Sequence, residues 1–422
     1  MPDPFAPTLQ AARARIAAVR PSAYARTRNA IEGAVSKLSP YITHGFVTLA
    51  DVLSGVASHH ALTVQHRFVF ELGWRAYFRH VWAQRGEGIL QSLHPGPLPD
   101  EAYARELPDD IRHGTTGVPA IDEAVRTLHA TGSLHNHARM WLASYVVHLR
   151  KVHWRTGADW LYGHLLDGDL ASNHLSWQWV AGTGSRKPYL FNADNVARYA
   201  PAHWHSPGSI IDTSYEALDR LAHSENPGPS ANSGSAGGAP GRPEGCGPDA
   251  AATRLHREPP GDLGWTFPDA AKAMGRDIWL VHPWSLGERP PALAADAQVI
   301  GVIVADFHRA WPWTERRWRF VGQRMAEITP TRWHGDAAAI AAALRGARSV
   351  RCVEDPHLTP WLARWAQCQP APALFPAVEQ RCDSFSQWWT RATRGLEAVS
   401  DLLPPTAHSS RPPPSPSNAS SD

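Results

Sequence analysis

Apolar residues recur at helical spacing through the first half of the chain. In PAIDEAVRTLHATG the positions Ile121, Ala124, Val125 and Leu128 fall three and four apart, and Gly132 is a natural helix stop. HNHARMWLASYVVHLRK repeats the pattern, with Ala138, Trp141, Leu142, Tyr145 and Leu149 on one side. Strand-like alternation is hard to find in this half. Beyond residue 263 the pattern changes. DIWLVHP, VIGVIVADF and ARSVRCVED read as short β-rich runs, separated by the helical stretches WRFVGQRMAEI and DAAAIAAALRG. Strands alternating with helices imply a small parallel α/β domain.

Between the blocks, residues 223–262 begin with a Gly-, Pro- and Ser-rich segment with almost no apolar content, and read as a linker. The tail, 404–422, has the same character. The expected organisation is therefore a helical domain over 1–222 and a smaller three-layer α/β domain over 263–403, in an α + α/β fold class. A length of 422 residues fits two domains.

Composition adds little. No apolar run is long enough to span a membrane, and the first residues lack the apolar core of a signal peptide, so a cytoplasmic location is expected. The four cysteines are scattered and match neither a disulfide framework nor a zinc site. A net charge of +2 neither demands nor excludes nucleic acid. The nineteen tryptophans are the unusual count. They admit two readings: aromatic-rich packing, or indoles that stack on a ligand or pass electrons.

Four clusters in the helical block differ from plain core. In YARTRNAIEGAVSKLSPYITHG, the residues Ser36, Lys37 and Ser39 offer hydroxyls, an ammonium and backbone N–H groups, suited to a phosphate or to a simple helix cap. In FELGWRAYFRH, the residues Glu71, Trp74 and Arg75 share a helical face, either as a binding surface or as a salt bridge over a half-buried indole. In LHNHARM, Asn136, Arg139 and Met140 share a face by the same spacing. His135, Asn136 and His137 are consecutive and diverge on a helix, which argues against a metal site. In DGDLASNHLSWQW, residues two apart diverge by about 200° if the stretch is helical, so Trp177 and Trp179 face opposite ways. Asp167 and Asp169 diverge as well, whereas a glycosidase needs convergent carboxylates.

In order, these motifs resemble the FAD-binding helical domain of the DNA photolyase and cryptochrome family, over about Tyr24 to Tyr199. The resemblance implies FAD as cofactor, with Tyr24, Ser36, Lys37, Leu38 and Ser39 around its phosphates. It implies Arg139 and Asp167 flanking the isoalloxazine ring, Asp169 close by, and Asn173 facing flavin N5. Glu71, Trp74, Asn136, Met140 and Trp179 match residues that cradle a flipped-out pyrimidine dimer, with Arg75 on a backbone phosphate. Trp177 and then Trp154 match the start of an electron-transfer chain. Glu71, Asn173, Trp154 and Trp177 are thus the residues expected to carry the chemistry.

The chain also departs from that pattern. Val35 replaces a phosphate-side threonine, Ser133 a pocket tryptophan and His137 an arginine. NHLS at 173–176 replaces a Gly-rich run. Arg186 and Lys187 stand where basic contacts follow a shortened segment. The distal tryptophan of the chain has no clear match, although Tyr103 lies nearby. Photolyases carry their α/β domain first, and the C-terminal block resembles that domain in a permuted position, with an antenna pigment that cannot be named. The implied activity is light-driven repair of UV-damaged DNA by a monomer without membrane or metal partners. The alternative is a cryptochrome-like blue-light receptor without repair.

Overall fold

The computed structural model describes residues 4–225, 253–291 and 293–403. Most of the expected linker (226–252) and the whole tail (404–422) lie outside the described residues.

The first block is helical throughout. Its helices are α1 (Leu9–Ala17), α2 (Pro21–Thr27), α3 (Ser39–Thr43), α4 (Leu49–Ala57), α5 (Arg67–Arg85) and α6 (Asp109–His113). Then come α7 (Pro119–Thr131), α8 (Asn136–Ser144), α9 (Trp154–His164), α10 (Leu170–Ala181), α11 (Ala193–Tyr199) and α12 (Tyr215–Ala222). Helix α7 ends where the sequence predicts, at Gly132 with φ 65°. After α8 the chain widens into one π-helical turn, Tyr145–Leu149, so the expected second helix is real but not uniform.

The second block contains β1 (Leu255–His256), β2 (Asp277–Val281), β3 (Gln298–Val304), α13 (Ala305–Ala310), β4 (Trp313–Thr314) and α14 (Glu315–Ile328). It continues with β5 (Arg332–Gly335), α15 (Ala337–Leu344), β6 (Ser349–Val353), α16 (Thr359–Trp365), β7 (Gln367–Gln369) and α17 (Phe385–Ala392). Five strands form one parallel sheet in the order β5-β3-β2-β6-β7, and β1 pairs antiparallel with β4. The order reverses between β2 and β6, the place where open α/β sheets present their ligand crevices. The strand ends there carry His282 and Trp284 after β2, and Asp355 and His357 after β6.

Three sequence expectations need correcting. The ADF that closes VIGVIVADF is the first turn of α13, not strand. Strands β5 and β7 escape the hydrophobic pattern because they are sheet edges: Trp333 is the only fully buried residue of β5, and Gln367 and Gln369 of β7 are exposed. The last part of the expected linker, 253–262, is structured: Leu255 and His256 pair with Thr314 and Trp313. Scattered spacing also hid a meeting of thiols, since Cys352 and Cys368 are register partners on β6 and β7 with sulfurs 3.6 Å apart.

The hydrophobic cores cut across the expected division. One core runs from Phe5 to Ile89, passes through Tyr162–Leu175, and continues through the sheet to Leu402. The other lies within the helical block, from Leu98 to Leu218. At the join, Phe46 stacks on Phe320 with centroids 5.1 Å apart, and Val64 N–H donates to the Glu397 carbonyl.

Candidate functional site

Helix α5 organises the site. His66 caps it, accepting the Phe68 N–H on Nδ1. Phe68, Val69, Leu72 and Tyr77 are buried, and Arg75 and Arg79 follow Leu72 along that inward stripe. Arg75 donates to the Thr43 hydroxyl at 2.9 Å and has no carboxylate partner among the described residues. Arg79 reaches Asp169 at 2.6 Å and Asp355 at 3.1 Å. The resemblance set Arg75 against a DNA phosphate, but its helical position turns it into the protein.

Beside it, Tyr24, Ser36, Ser39, Glu71 and Arg75 line a small cavity of about 100 Å³. The hydroxyls of Ser36 and Ser39 meet no hydrogen-bond partner among the described residues. Lys37 is held at φ 51° and is followed by Leu38 in the right-handed region, a backbone reversal of the kind that gathers N–H groups around an anion. Burial lowers the pKa of Arg75, opposed by Asp169 and Asp167. A guanidinium without a carboxylate partner among the described residues, free hydroxyls and a left-handed turn together suit a phosphate group.

The carboxylates nearby are already neutralised. Arg139 on α8 donates from one nitrogen to both oxygens of Asp167, at 2.8 and 2.9 Å. Asp169 is fully buried and caps α10 through the Ser172 N–H at 2.8 Å. Burial alone would raise its pKa, but Arg79, with His357 and Arg75, holds it well below the usual carboxylate range. Asp355 behaves alike: burial is overcome by Arg79 and His357, and its pKa falls to about 2. His357 Nδ1 contacts Asp355 at 2.6 Å and its Nε2 accepts the Leu170 N–H, which fixes the neutral tautomer. Its ring stacks on Trp284 at 4.2 Å. This network edges a cleft of about 2090 Å³ between the two blocks.

The expected site residues divide into three groups. Asn136 is exposed and its amide contacts the Met140 sulfur at 3.7 Å, as their shared face implies. Arg139 leaves that face for Asp167. Trp179 is 42% exposed and lies beside Tyr189, while Trp177 is 2% exposed, so the two indoles do point opposite ways. Asn173 is buried and donates to the Ala158 carbonyl at 2.8 Å. Trp154 is buried and donates to the Ser92 hydroxyl at 2.9 Å. Trp177 presses on α9 at Gly157, where an added Cβ would come within 2.4 Å of the indole. Glu71 is paired twice, with Arg67 at 2.9 Å and Arg28 at 3.2 Å. One face of Trp74 stacks on Phe385 of α17, centroids 4.0 Å apart.

Sequence reasoning missed Arg79, Thr43 and Asp355. Arg79 had a readable signal, since it follows Arg75 by four on the same helical stripe. Asp355 had none, because its partner lies 276 positions away. Among the described residues no group of three or more His, Cys, Asp or Glu side chains is placed to hold a metal, and no helix is long and apolar enough to cross a membrane.

The helical block is similar in sequence to known proteins. Residues 68–206 match the family described as the FAD binding domain of DNA photolyase. A deoxyribodipyrimidine photo-lyase from Streptomyces griseus is 37% identical over 152 residues, which cover 36% of this chain and 33% of that protein. A cryptochrome DASH from Gloeobacter violaceus is 33% identical over 199 residues, covering 43% of this chain and 39% of that one. The matched stretch therefore spans well under half the length of these relatives. A crystal structure of a Synechocystis cryptochrome aligns with 25% identity and a TM-score of 0.43, over 54% of this chain and 53% of that chain.

Proposed function

We propose that this chain, whose residues 68–206 match the FAD binding domain of DNA photolyase, is a light-driven lyase of the DNA photolyase and cryptochrome family that repairs UV-induced pyrimidine dimers. Reduced FAD, when bound, supplies a photoexcited electron that splits the dimer. The protein's part is to hold the cofactor, present the lesion and exclude water.

Ser36, Ser39, Arg75 and the turn at Lys37 hold the pyrophosphate. The Arg139–Asp167 pair flanks the ring system, with its charge balanced. Asn173, whose amide N–H is tied to the Ala158 carbonyl, has its side-chain oxygen left for the flavin, and Asp169 acts through Arg79 as a positioning residue. Outside, the Asn136–Met140 pair on α8 and the exposed Trp179 on α10 offer polar and aromatic surface to an unstacked base pair. The repair reading rests on their exposure: Trp179 is a large indole left 42% exposed beside Tyr189, and the exposed Asn136 holds its amide against the Met140 sulfur. We read the C-terminal block as a permuted photolyase-type α/β domain, supported by its strand order β5-β3-β2-β6-β7.

A second reading, a blue-light receptor without repair, draws on Glu71 and Trp74. The carboxylate already satisfies two arginines, and one face of the indole is taken by Phe385. One experiment separates the readings. Photoreduced protein is illuminated with blue light in the presence of an oligonucleotide containing a defined dimer. Restoration of the intact pyrimidines supports repair; an unchanged lesion on a flavin-loaded protein supports the receptor.

A further inference from the structure

The geometry points to Trp311, on the C-terminal block, as the residue through which this protein's tryptophan chain exchanges charge with solvent. The inference rests on the flavoprotein reading above and supplies the distal member that the helical block lacks.

Trp177 and Trp154 are both sealed, at 2% exposure each, so neither can meet an external reductant. They are joined through α9: Trp177 packs on Gly157, one turn beyond Trp154. From Trp154 two lines of rings lead away. One passes through His153, 5.6 Å from Trp154, to Tyr103, a further 6.2 Å on. Tyr103 is itself buried. The other passes through His174, 6.4 Å from Trp154 and edge-on at 84°, to Trp311, a further 5.5 Å on at 85°.

Trp311 differs from every other ring on these lines. It sits between α13 and β4, is only half-buried, and lines the large cleft between the blocks. Its indole nitrogen donates to no protein group among the described residues, whereas the Trp154 N–H is held by Ser92. An oxidised indole at the cleft can lose its N–H proton to water, and that loss traps the charge there. The connecting imidazole is fixed in place: His174 Nδ1 contacts the Leu170 carbonyl at 2.9 Å and Nε2 contacts Asp159 at 2.8 Å. Arg155 lies 5.3 Å over Trp311, and a lone cation there would oppose oxidation. Its charge is offset by Asp159, which it contacts at 2.6 Å.

The electrons balance as follows. Trp177 gives one electron to the light-excited oxidised flavin. Trp154 refills Trp177, and Trp311 refills Trp154. Trp311 then releases its indole proton to water. A thiol reductant restores Trp311 with one electron and one proton, and the resulting thiyl radicals pair as a disulfide.

The test uses the full chain loaded with FAD, blue light and dithiothreitol, with Trp311→Phe, Trp311→Tyr and Tyr103→Phe compared against the parent. Photoreduction is followed by absorbance, and the flash-generated radical is identified by transient absorption and electron paramagnetic resonance. Trp311→Phe is expected to slow photoreduction several-fold and to remove the long-lived deprotonated tryptophanyl signal. Trp311→Tyr is expected to restore much of the rate and to replace that signal with a tyrosyl radical, which a purely structural role for the ring does not predict. Tyr103→Phe is expected to change either readout little. A collapse in Tyr103→Phe with normal behaviour of Trp311→Phe overturns the assignment, as does a Trp311→Tyr protein without a tyrosyl signal. A parent protein that takes up no flavin defeats the family-based function as well, and so is distinguishable from failure of the Trp311 assignment alone.

Discussion

The guanidinium of Arg79 lies 2.6 Å from the fully buried carboxylate of Asp169 and holds Asp355 of the other block with its second nitrogen. One side chain thus pairs with an acid from each half of the protein. Removing it strands two buried carboxylates. Arg79→Met is expected to cost about 3–5 kcal/mol of stability, read from urea or thermal unfolding. A loss below about 1 kcal/mol, the level of a surface pair, would show that the network is not holding the blocks together.

Of the two tryptophans of WQW, Trp177 is buried and Trp179 is 42% exposed, and their replacement should separate two measurements. Trp177→Phe is expected to block photoreduction while sparing dimer repair by chemically reduced protein. Trp179→Ala is expected to leave photoreduction intact and weaken binding of a dimer-containing oligonucleotide by about 1–3 kcal/mol, the worth of one stacked base. Equal effects of both variants on photoreduction break the division of labour.

Gly157 tests the contact between α9 and the buried indole. A Cβ there would sit 2.4 Å from the Trp177 ring, so Gly157→Ala must push the indole or the helix. The expected cost is about 1–3 kcal/mol, as for overpacked cores, together with a shift in tryptophan fluorescence. An unchanged spectrum and midpoint would mean the indole is free to move.

Buried histidines set the response to acid. Burial lowers the pKa of His129 and His148 to about 4 each. Among the described residues neither ring nitrogen of His129 has a hydrogen-bond partner, nor has His148 Nδ1. An unfolded histidine binds its proton near pH 6.5, so between there and about 4 the unfolded chain holds more protons than the folded one. Stability from these groups is therefore complete above the unfolded value and is lost as pH falls, by up to about 1.4 kcal/mol per histidine for each pH unit. The unfolding midpoint should drop steadily from pH 7 to 5, and a flat profile would remove the histidines from the account.

What the sequence discloses here follows the range of the forces involved. Helices with a strong apolar stripe, such as α7 with its Gly132 stop, are written in local spacing and are found where expected. So is the opposed aim of Trp177 and Trp179, a consequence of helical geometry alone. The polar edge strands β5 and β7 carry no such stripe. The partners of Asp169 and Trp74 are also silent locally, because Arg79 is 90 positions from Asp169 and Phe385 comes from the far end of the chain. The resemblance implies a DNA phosphate for Arg75, whereas its place one turn beyond the buried Leu72 brings its guanidinium to the Thr43 hydroxyl.

The shared core carries a consequence for the order of synthesis. Phe46 and Tyr41 leave the ribosome long before Phe320, their aromatic neighbour, has been made. Until then the N-terminal helices have an unclosed apolar face. The second core, built wholly from residues between Leu98 and Leu218, needs nothing that comes later. The nascent protein is thus expected to close from its middle outward, with the start and the finish of the chain meeting last.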